Sequence, residues 1–225
     1  MQVASGEGQC FYEKYNGWLR MRRFSMEAVG TAFLVLAYGL SSNAYATGFI
    51  LAALVYGGMQ VSGAHFNPAV TFAYFVRGDL SFRTFLTYSL SQLLGAFAAS
   101  GLLLILTKHV FYVQPPTSTD ILQQGIIEVL FTFLIAFAYL SLIPMNARKV
   151  FRLNALGVGI TLSAAILIGY TISGAVYNPA ISIGTATVDY LTIKGTSFYF
   201  IPLYLVSSLV GAALAGLMYR YISTD

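Results

Sequence analysis

The chain contains the stretch VSGAHFNPAV at residues 61–70 and, aligned to it without a gap, the stretch ISGAVYNPAI at residues 172–181. Further matching residues are Glu27, Thr31 and Gly95-Ala96 in the first half, and Glu128, Thr132 and Gly211-Ala212 in the second. Self-similarity of this kind indicates an internal repeat. The chain therefore consists of two halves of about 100 residues that share one plan.

Composition places the chain in a lipid bilayer. Of its 225 residues, 57% are hydrophobic and only 9% are charged, and the mean hydropathy is +0.73. Soluble domains have about a quarter of their residues charged, and disordered chains combine low hydrophobicity with high net charge. Both classes are excluded.

Six apolar segments are close to the length of about 20 residues that a spanning helix needs. They are residues 24–44, 47–64, 82–106, 124–143, 153–173 and 198–222. Two shorter segments, 67–76 and 178–188, each begin with Asn-Pro-Ala and are too short to cross alone. Because each half has an odd number of spans, the second half enters the membrane in the opposite orientation. The predicted fold is an all-α membrane protein with six transmembrane helices and two re-entrant half-helices in an inverted repeat.

The basic residues predict the orientation of this layout. Both termini lie on one side, and that side carries all Lys and Arg residues except Lys108 and Lys194. By the positive-inside rule, that side is cytoplasmic. The layout predicts a cytoplasmic N-terminal tail (1–23), a first three-helix repeat (24–106), an extracytoplasmic connecting loop (107–123) and a second three-helix repeat (124–222). The net charge of +4 is an orientation signal and requires no nucleic-acid partner.

The two short segments predict a broken seventh span. Ten helical residues measure about 15 Å, so two half-helices placed end to end cover a hydrocarbon core of roughly 30 Å. Pro68 and Pro179 suit the first helical turn, and Asn67 and Asn178 suit the preceding cap position. Both helix N-termini then meet near the midplane, where their dipoles disfavour cations while the Asn amides donate to an oxygen. This is a route for an uncharged polar solute.

Catalysis and cofactor chemistry have no support in the sequence. Cys10 is the single cysteine, and His65 and His109 are the only histidines. No nucleotide-binding loop and no nucleophile paired with a base is present. Intramembrane ion or proton carriers, which active transport usually requires, are also lacking. We therefore expect a passive path, no enzyme activity, no cofactor and no metal site.

The twin Asn-Pro-Ala motifs, each preceded by Ser-Gly-Ala, together with Glu27 and Glu128 at matching positions, resemble the aquaporin or major intrinsic protein family. The resemblance covers the chain from about Phe24 to Ile222. It implies an hourglass fold, a homotetramer with one pore per subunit, and bidirectional conduction of water or small neutral solutes.

The resemblance also implies roles for individual residues. Asn67 and Asn178 are the paired donors of the central constriction, and Glu27 and Glu128 are buried carboxylates that hold the re-entrant loops. For His65, a place in the cytoplasmic vestibule and structural packing of the loop remain equally open. The residues that fix the ends of the half-helices are Pro68, Ala69, Pro179 and Ala180.

The chain departs from the family at the outer selectivity filter, whose four positions correspond to Thr47, Ile166, Ala175 and Ile181. None of them is aromatic, and Ile181 stands where typical members carry an arginine. An arginine there narrows the pore and repels cations. The chain is thus a divergent member, with an outer constriction that is wider or more apolar.

Three functions remain open at this point. One is a water channel, with leakage of glycerol, ammonia or hydrogen peroxide as an added property. Another is a facilitator of glycerol or other small neutral solutes. The last is a junctional or structural membrane protein with a narrow or closed pore. The sequence does not choose between the plasma membrane and an intracellular or vacuolar membrane.

Overall fold

The computed structural model describes residues 6–143 and 153–223, and every regular element within these ranges is helical. The elements are α1 (Gly6–Ser41), α2 (Ala44–Gly58), α3 (Pro68–Arg77), α4 (Phe82–Thr107), α5 (Ile121–Leu142), α6 (Asn154–Ser173), α7 (Pro179–Ile193), a 3₁₀ turn (Ser197–Phe200) and α8 (Ile201–Ile222). The predicted all-α fold is confirmed, and five of these helices are long and apolar enough to cross a membrane. Arg148, Lys149 and Arg152, which entered the orientation argument, lie outside the described residues.

The long helices differ from the predicted spans at their ends. Helix α1 begins at Gly6, inside the predicted tail, and the part long and apolar enough to cross a membrane is Gly17–Ser41. Helix α2 has only 15 residues and ends at Gly58, whereas the predicted span continued to residue 64. The following residues leave the helix to bring Pro68 into the interior. Hydropathy cannot separate such a loop from a helix, because a loop buried in protein is also apolar.

Helix pairing follows the inverted repeat. Helix α1 packs on α4, and α5 packs on α8 in the same way. The half-helices cross over: α3 lies against α8 of the second repeat, and α7 lies against α4 of the first. Helices α2 and α6 pack on each other, and α3 contacts α7. The two repeats are therefore interlocked, with the ends of the half-helices between them.

Small residues allow the closest helix crossings, as is usual where no hydrophobic effect drives association. A Cβ atom at Gly95 of α4 would overlap the backbone oxygen of Ala28 in α1. At the equivalent crossing, a Cβ atom at Gly211 of α8 would overlap the backbone oxygen of Val129 in α5. These glycines set the spacing of the helices that carry Glu27 and Glu128.

Candidate functional site

The ends of the two half-helices are capped in the same way. The side chain of Asn67 accepts a hydrogen bond from the N–H of Ala69 at 2.8 Å, and Asn178 accepts one from Ala180 at 3.0 Å. Each following proline occupies the first helical turn, where its missing N–H costs nothing. This local chemistry starts both helices at the Asn-Pro-Ala motifs.

The two asparagines also join the re-entrant loops to each other. The amide of Asn67 donates to the carbonyl oxygen of Tyr177 at 2.8 Å, and the amide of Asn178 donates to that of Phe66 at 3.0 Å. Each amide group carries two hydrogens, so one hydrogen on each remains for a solute. Both side chains are almost completely buried.

Glu27 of α1 holds the first re-entrant loop. Its Oε1 atom accepts from the Ser62 hydroxyl at 2.5 Å and from the His65 N–H at 3.1 Å. Its Oε2 atom accepts from the Phe66 N–H at 2.7 Å and from Gln92 Nε2 at 2.8 Å. The carboxylate thus satisfies backbone donors that would otherwise be unpaired at membrane depth.

Glu128 of α5 does the same for the second loop. Its Oε1 atom accepts from the Ser173 hydroxyl at 2.6 Å and from the Val176 N–H at 2.9 Å, and its Oε2 atom accepts from the Tyr177 N–H at 2.8 Å. Both glutamates are fully buried. The structure therefore places the two acids at equivalent points of the repeat.

The loops held in this way have an unusual backbone. Gly63, Ala64 and Phe66 have φ values of 95°, 55° and 53°, and Gly174, Ala175 and Tyr177 repeat them with 85°, 55° and 51°. Left-handed conformations of residues other than glycine cost on the order of 1–3 kcal/mol and persist only where the surroundings enforce them. Here the bonds to the buried acids do so.

The carbonyl groups of each loop alternate in their hydrogen bonding. In the first loop, Ser62 O accepts from the Tyr88 hydroxyl, Ala64 O from the Tyr139 hydroxyl and Phe66 O from Asn178. In the second loop, the carbonyls of Ser173, Ala175 and Tyr177 accept from Tyr204, Tyr38 and Asn67. The described residues provide no hydrogen bond to the carbonyls between them, those of Gly63, His65, Gly174 and Val176.

A narrow cavity runs along these loops. Its volume is about 10 Å³, counted as the space open to the centre of a water molecule, and one water needs about 10–15 Å³ on that measure. Tyr177 and Ile181 contribute to the lining. The remaining lining residues are repeat-related pairs: Leu34 with Ile135, Tyr38 with Tyr139, Leu51 with Leu162, His65 with Val176, and Asn67 with Asn178.

His65 both packs in the loop and lines the cavity. Its ring stacks on Tyr74 with 4.4 Å between centroids, and its Nδ1 atom lies 3.2 Å from the Thr71 hydroxyl. Its Nε2 atom is buried and has no hydrogen-bond partner among the described residues. The structure thus shows the loop packing together with a place in the cavity lining, and the cytoplasmic vestibule stays a prediction.

Of the four predicted outer-filter residues, only Ile181 lines this cavity. Thr47, Ile166 and Ala175 are buried and lie outside its lining. The Thr47 hydroxyl donates to the carbonyl oxygen of Asn43 at 3.0 Å, within its own helix. These positions therefore offer few polar groups to a solute.

Sequence reasoning missed the tyrosines Tyr38 and Tyr139. A signal was present, because Glu27, Thr31, Leu34 and Tyr38 share one helix face and recur as Glu128, Thr132, Ile135 and Tyr139. The spacing i, i+4, i+7, i+11 follows the period of an α-helix. Gln92, whose amide also donates to the Thr71 hydroxyl at 3.0 Å, has no equivalent glutamine in the second repeat.

The comparisons with known proteins agree with this geometry. The family model described as major intrinsic protein matches residues 27–219. The chain is 32% identical to aquaporin NIP1-1 of Zea mays over 219 residues, which cover 90% of this chain and 75% of that relative. It is 34% identical to a probable aquaporin TIP-type alpha of Phaseolus vulgaris over 187 residues, covering 81% and 70% of the two chains.

A solved structure shares the fold. The X-ray structure of the aquaglyceroporin from Plasmodium falciparum superimposes with a TM-score of 0.76 and 19% sequence identity. The match covers 90% of this chain and 96% of that one.

Proposed function

The chain belongs to the major intrinsic protein family, whose members are channels and not enzymes, and from that premise we propose a passive, bidirectional channel with water as its main permeant. The multi-pass membrane architecture and a channel for water, small solutes or both follow from the family. The choice of water rests on the size and chemistry of the cavity.

The observation that carries the proposal is the narrow cavity beside the paired asparagines. A volume of about 10 Å³ accepts roughly one water at a time. Each asparagine retains one N–H for the water oxygen, and the unbonded loop carbonyls accept from its hydrogens. The opposite wall is apolar, with Leu34, Leu51 and Ile135. Such a cavity admits about one water at a time and offers it few but sufficient hydrogen-bond partners.

Exclusion of ions is part of the proposal. None of the lining residues is an acid, a lysine or an arginine, so a permeating ion finds no counter-charge. The N-termini of α3 and α7 meet at the asparagine pair, and the positive ends of their dipoles raise the energy of a cation there. Glu27 and Glu128 direct their oxygens to the loop backbones instead.

We further propose that the chain works as a homotetramer with one path per subunit, oriented with both termini in the cytoplasm. The same proposal assigns loop bracing to Glu27 and Glu128, and the outer filter to Thr47, Ile166, Ala175 and Ile181. The single chain exposes much apolar surface to lipid or to a neighbouring subunit. Helix α4 alone exposes Leu86, Leu90, Leu94 and Phe97.

A facilitator of glycerol is the second candidate, and the absence of an arginine at Ile181 favours it. An apolar filter without a fixed charge imposes less restriction on larger neutral solutes. The solved structure with the same fold belongs to a protein named as an aquaglyceroporin. Water and glycerol permeabilities measured in the same vesicles separate the two candidates.

A junctional role is the third candidate, and the segment between α4 and α5 does not favour it. The segment between α4 and α5 folds back onto the protein, because the Thr119 hydroxyl donates to the carbonyl of Ile172 at 2.7 Å. Gln124 in turn donates to the carbonyl of Thr119 at 2.8 Å. Phe111 and Val113 pack against the core.

The test is a stopped-flow panel for water, glycerol, urea and protons on purified protein in liposomes. The wild type is compared with Ile181→Arg and with the matched control Ile181→Leu. We expect a large charged side chain in the cavity to lower water permeability by about tenfold, equal to roughly 1.4 kcal/mol of added barrier, while Ile181→Leu stays near wild type. If Ile181→Arg leaves every permeability unchanged, the assigned filter position is wrong.

A further inference from the structure

Two tyrosines stand at equivalent positions of the repeat, Tyr38 on α1 and Tyr139 on α5. Each lies eleven residues after the buried acid of its helix, Glu27 or Glu128. Eleven residues make about three turns and a rise of about 16 Å, so acid and tyrosine share one helix face. Helix α1 therefore holds the first loop through Glu27 and contacts the second through Tyr38, and α5 does the reverse.

Both tyrosine hydroxyls donate to carbonyl groups of the re-entrant loops. Tyr38 bonds the carbonyl of Ala175 at 3.3 Å, and Tyr139 bonds the carbonyl of Ala64 at 3.1 Å. Each alanine precedes the asparagine of its motif by three residues, and the loops enter from opposite faces. The two tyrosines consequently lie on either side of the asparagine pair.

The two tyrosines affect both the volume of the cavity and the number of hydrogen-bond acceptors that a solute finds there. Both rings line the cavity, so their volume contributes directly to its narrowness. Each hydroxyl also occupies one carbonyl oxygen that would otherwise accept a hydrogen bond from a solute. Tyr38 in addition brings an aromatic ring to the side of Ala175, where none of the four predicted filter positions supplies one.

We propose that Tyr38 and Tyr139 are specificity-determining residues that form two symmetric constrictions around the asparagine pair and exclude polyols of the size of glycerol. This inference rests on the proposed channel function. It places the size limit at two residues of α1 and α5 instead of at the outer filter.

The chain offers a matched control pair. Tyr88 and Tyr204 are also buried, also occupy equivalent positions, and donate to the loop carbonyls of Ser62 and Ser173 at 2.8 and 2.5 Å. Neither of them lines the cavity. Tyr88 contacts the ring of His65 edge-on at 5.6 Å between centroids, so we expect substitution of this pair to perturb the loops and their packing without removing a side chain from the cavity lining.

The experiment compares two double variants in liposomes, Tyr38→Leu with Tyr139→Leu, and Tyr88→Leu with Tyr204→Leu. The readout is the ratio of glycerol to water permeability. We expect the first variant to raise this ratio by about tenfold or more, the scale on which an apolar site discriminates small changes in solute size. The control variant is expected to leave the ratio at the wild-type value.

Two outcomes overturn the inference while the channel function stands. In one, the wild type conducts water, but the variant of Tyr38 and Tyr139 has the same ratio of glycerol to water permeability as the wild type. The other is an equal rise in the control variant, which would assign the effect to loop integrity. A wild type that conducts no water overturns the proposed function and the inference with it.

A second variant keeps the test informative where the leucine pair does not fold. Tyr38→Phe with Tyr139→Phe retains both rings and releases the carbonyls of Ala64 and Ala175. We expect glycerol to remain excluded while water permeability rises modestly, because two acceptors return to the path. A rise in glycerol permeability equal to that of water would contradict the role of the rings.

Discussion

At the residue scale, two carboxylates hold an otherwise unfavourable backbone at the centre of the molecule. Glu27 accepts four hydrogen bonds and Glu128 three, and several of the donors are backbone N–H groups of left-handed loops. A carboxylate accepts at both oxygens, whereas an amide must donate with its nitrogen. A glutamate therefore satisfies the donors at each site, whereas a glutamine at the same position would not.

This difference gives a prediction for stability. Glu27→Gln, or equally Glu128→Gln, turns an amide N–H₂ toward a loop donor and leaves buried groups unpaired. We expect each change to cost about 1–3 kcal/mol, visible as a lower melting temperature of the purified protein in detergent.

The matched control is Asp120→Asn, the same change of acid to amide at an exposed helix cap. Asp120 accepts from the N–H groups of Leu122 and Gln123, and asparagine caps a helix about as well as aspartate. Its melting temperature should stay close to wild type. A similar loss in all three variants would show that the buried acids have no special role.

At the scale of the elements, the lengths of the apolar segments and the repeat were sufficient to predict the eight helices but not all their ends. Helix α7 was predicted to end at residue 188 and continues to Ile193. The apparent stop, Asp189, is buried and accepts from the N–H and hydroxyl of Ser197. A polar residue in a membrane segment predicts an end only where no tertiary partner satisfies it.

The residues at the centre of the cavity were predictable from the motifs, whereas the repeated helix face of α1 and α5 indicated only that Tyr38 and Tyr139 are equivalent, not that they line a cavity. The Asn-Pro-Ala motifs indicated both asparagines, because cap and first-turn chemistry is local. Tyr38 and Tyr139 depend on which face of α1 and α5 meets the loops, and this is a tertiary property. A tyrosine within an apolar helix has the same appearance in the sequence whether it lines a path or fills a core.

Helix spacing gives a prediction at this scale. Gly95→Ala places a methyl group against the backbone of Ala28 and should separate α4 from α1, lowering both the melting temperature and the water permeability. The control is Gly101→Ala in the same helix, where an added Cβ has no neighbour within 4 Å. That change should be neutral or stabilising by up to about 1 kcal/mol, because alanine is the better helix former. Equal effects at both positions would contradict the role of the close crossing.

At the scale of the whole molecule, the inverted repeat and the small number of charged residues together produce an uncharged centre. Two interlocked halves bring two helix N-termini to the middle of the bilayer without a charged side chain in the path between them. The chain has few charged residues, and the acids nearest the centre are used for its own backbone. We propose that the result is a path that suits a small neutral molecule and opposes a cation.

We propose that water crosses the protein through the cavity beside Asn67 and Asn178. The most direct test is stopped-flow shrinkage of liposomes in a sorbitol gradient, with wild type, Leu51→Trp, Leu130→Trp and protein-free vesicles at matched protein density. Leu51 lines the cavity, whereas Leu130 is 56% exposed on the outer surface of α5. We predict rapid shrinkage with wild type and Leu130→Trp, and a rate near that of protein-free vesicles with Leu51→Trp. A wild-type rate equal to that of protein-free vesicles, or undiminished flux through Leu51→Trp, would contradict the claim.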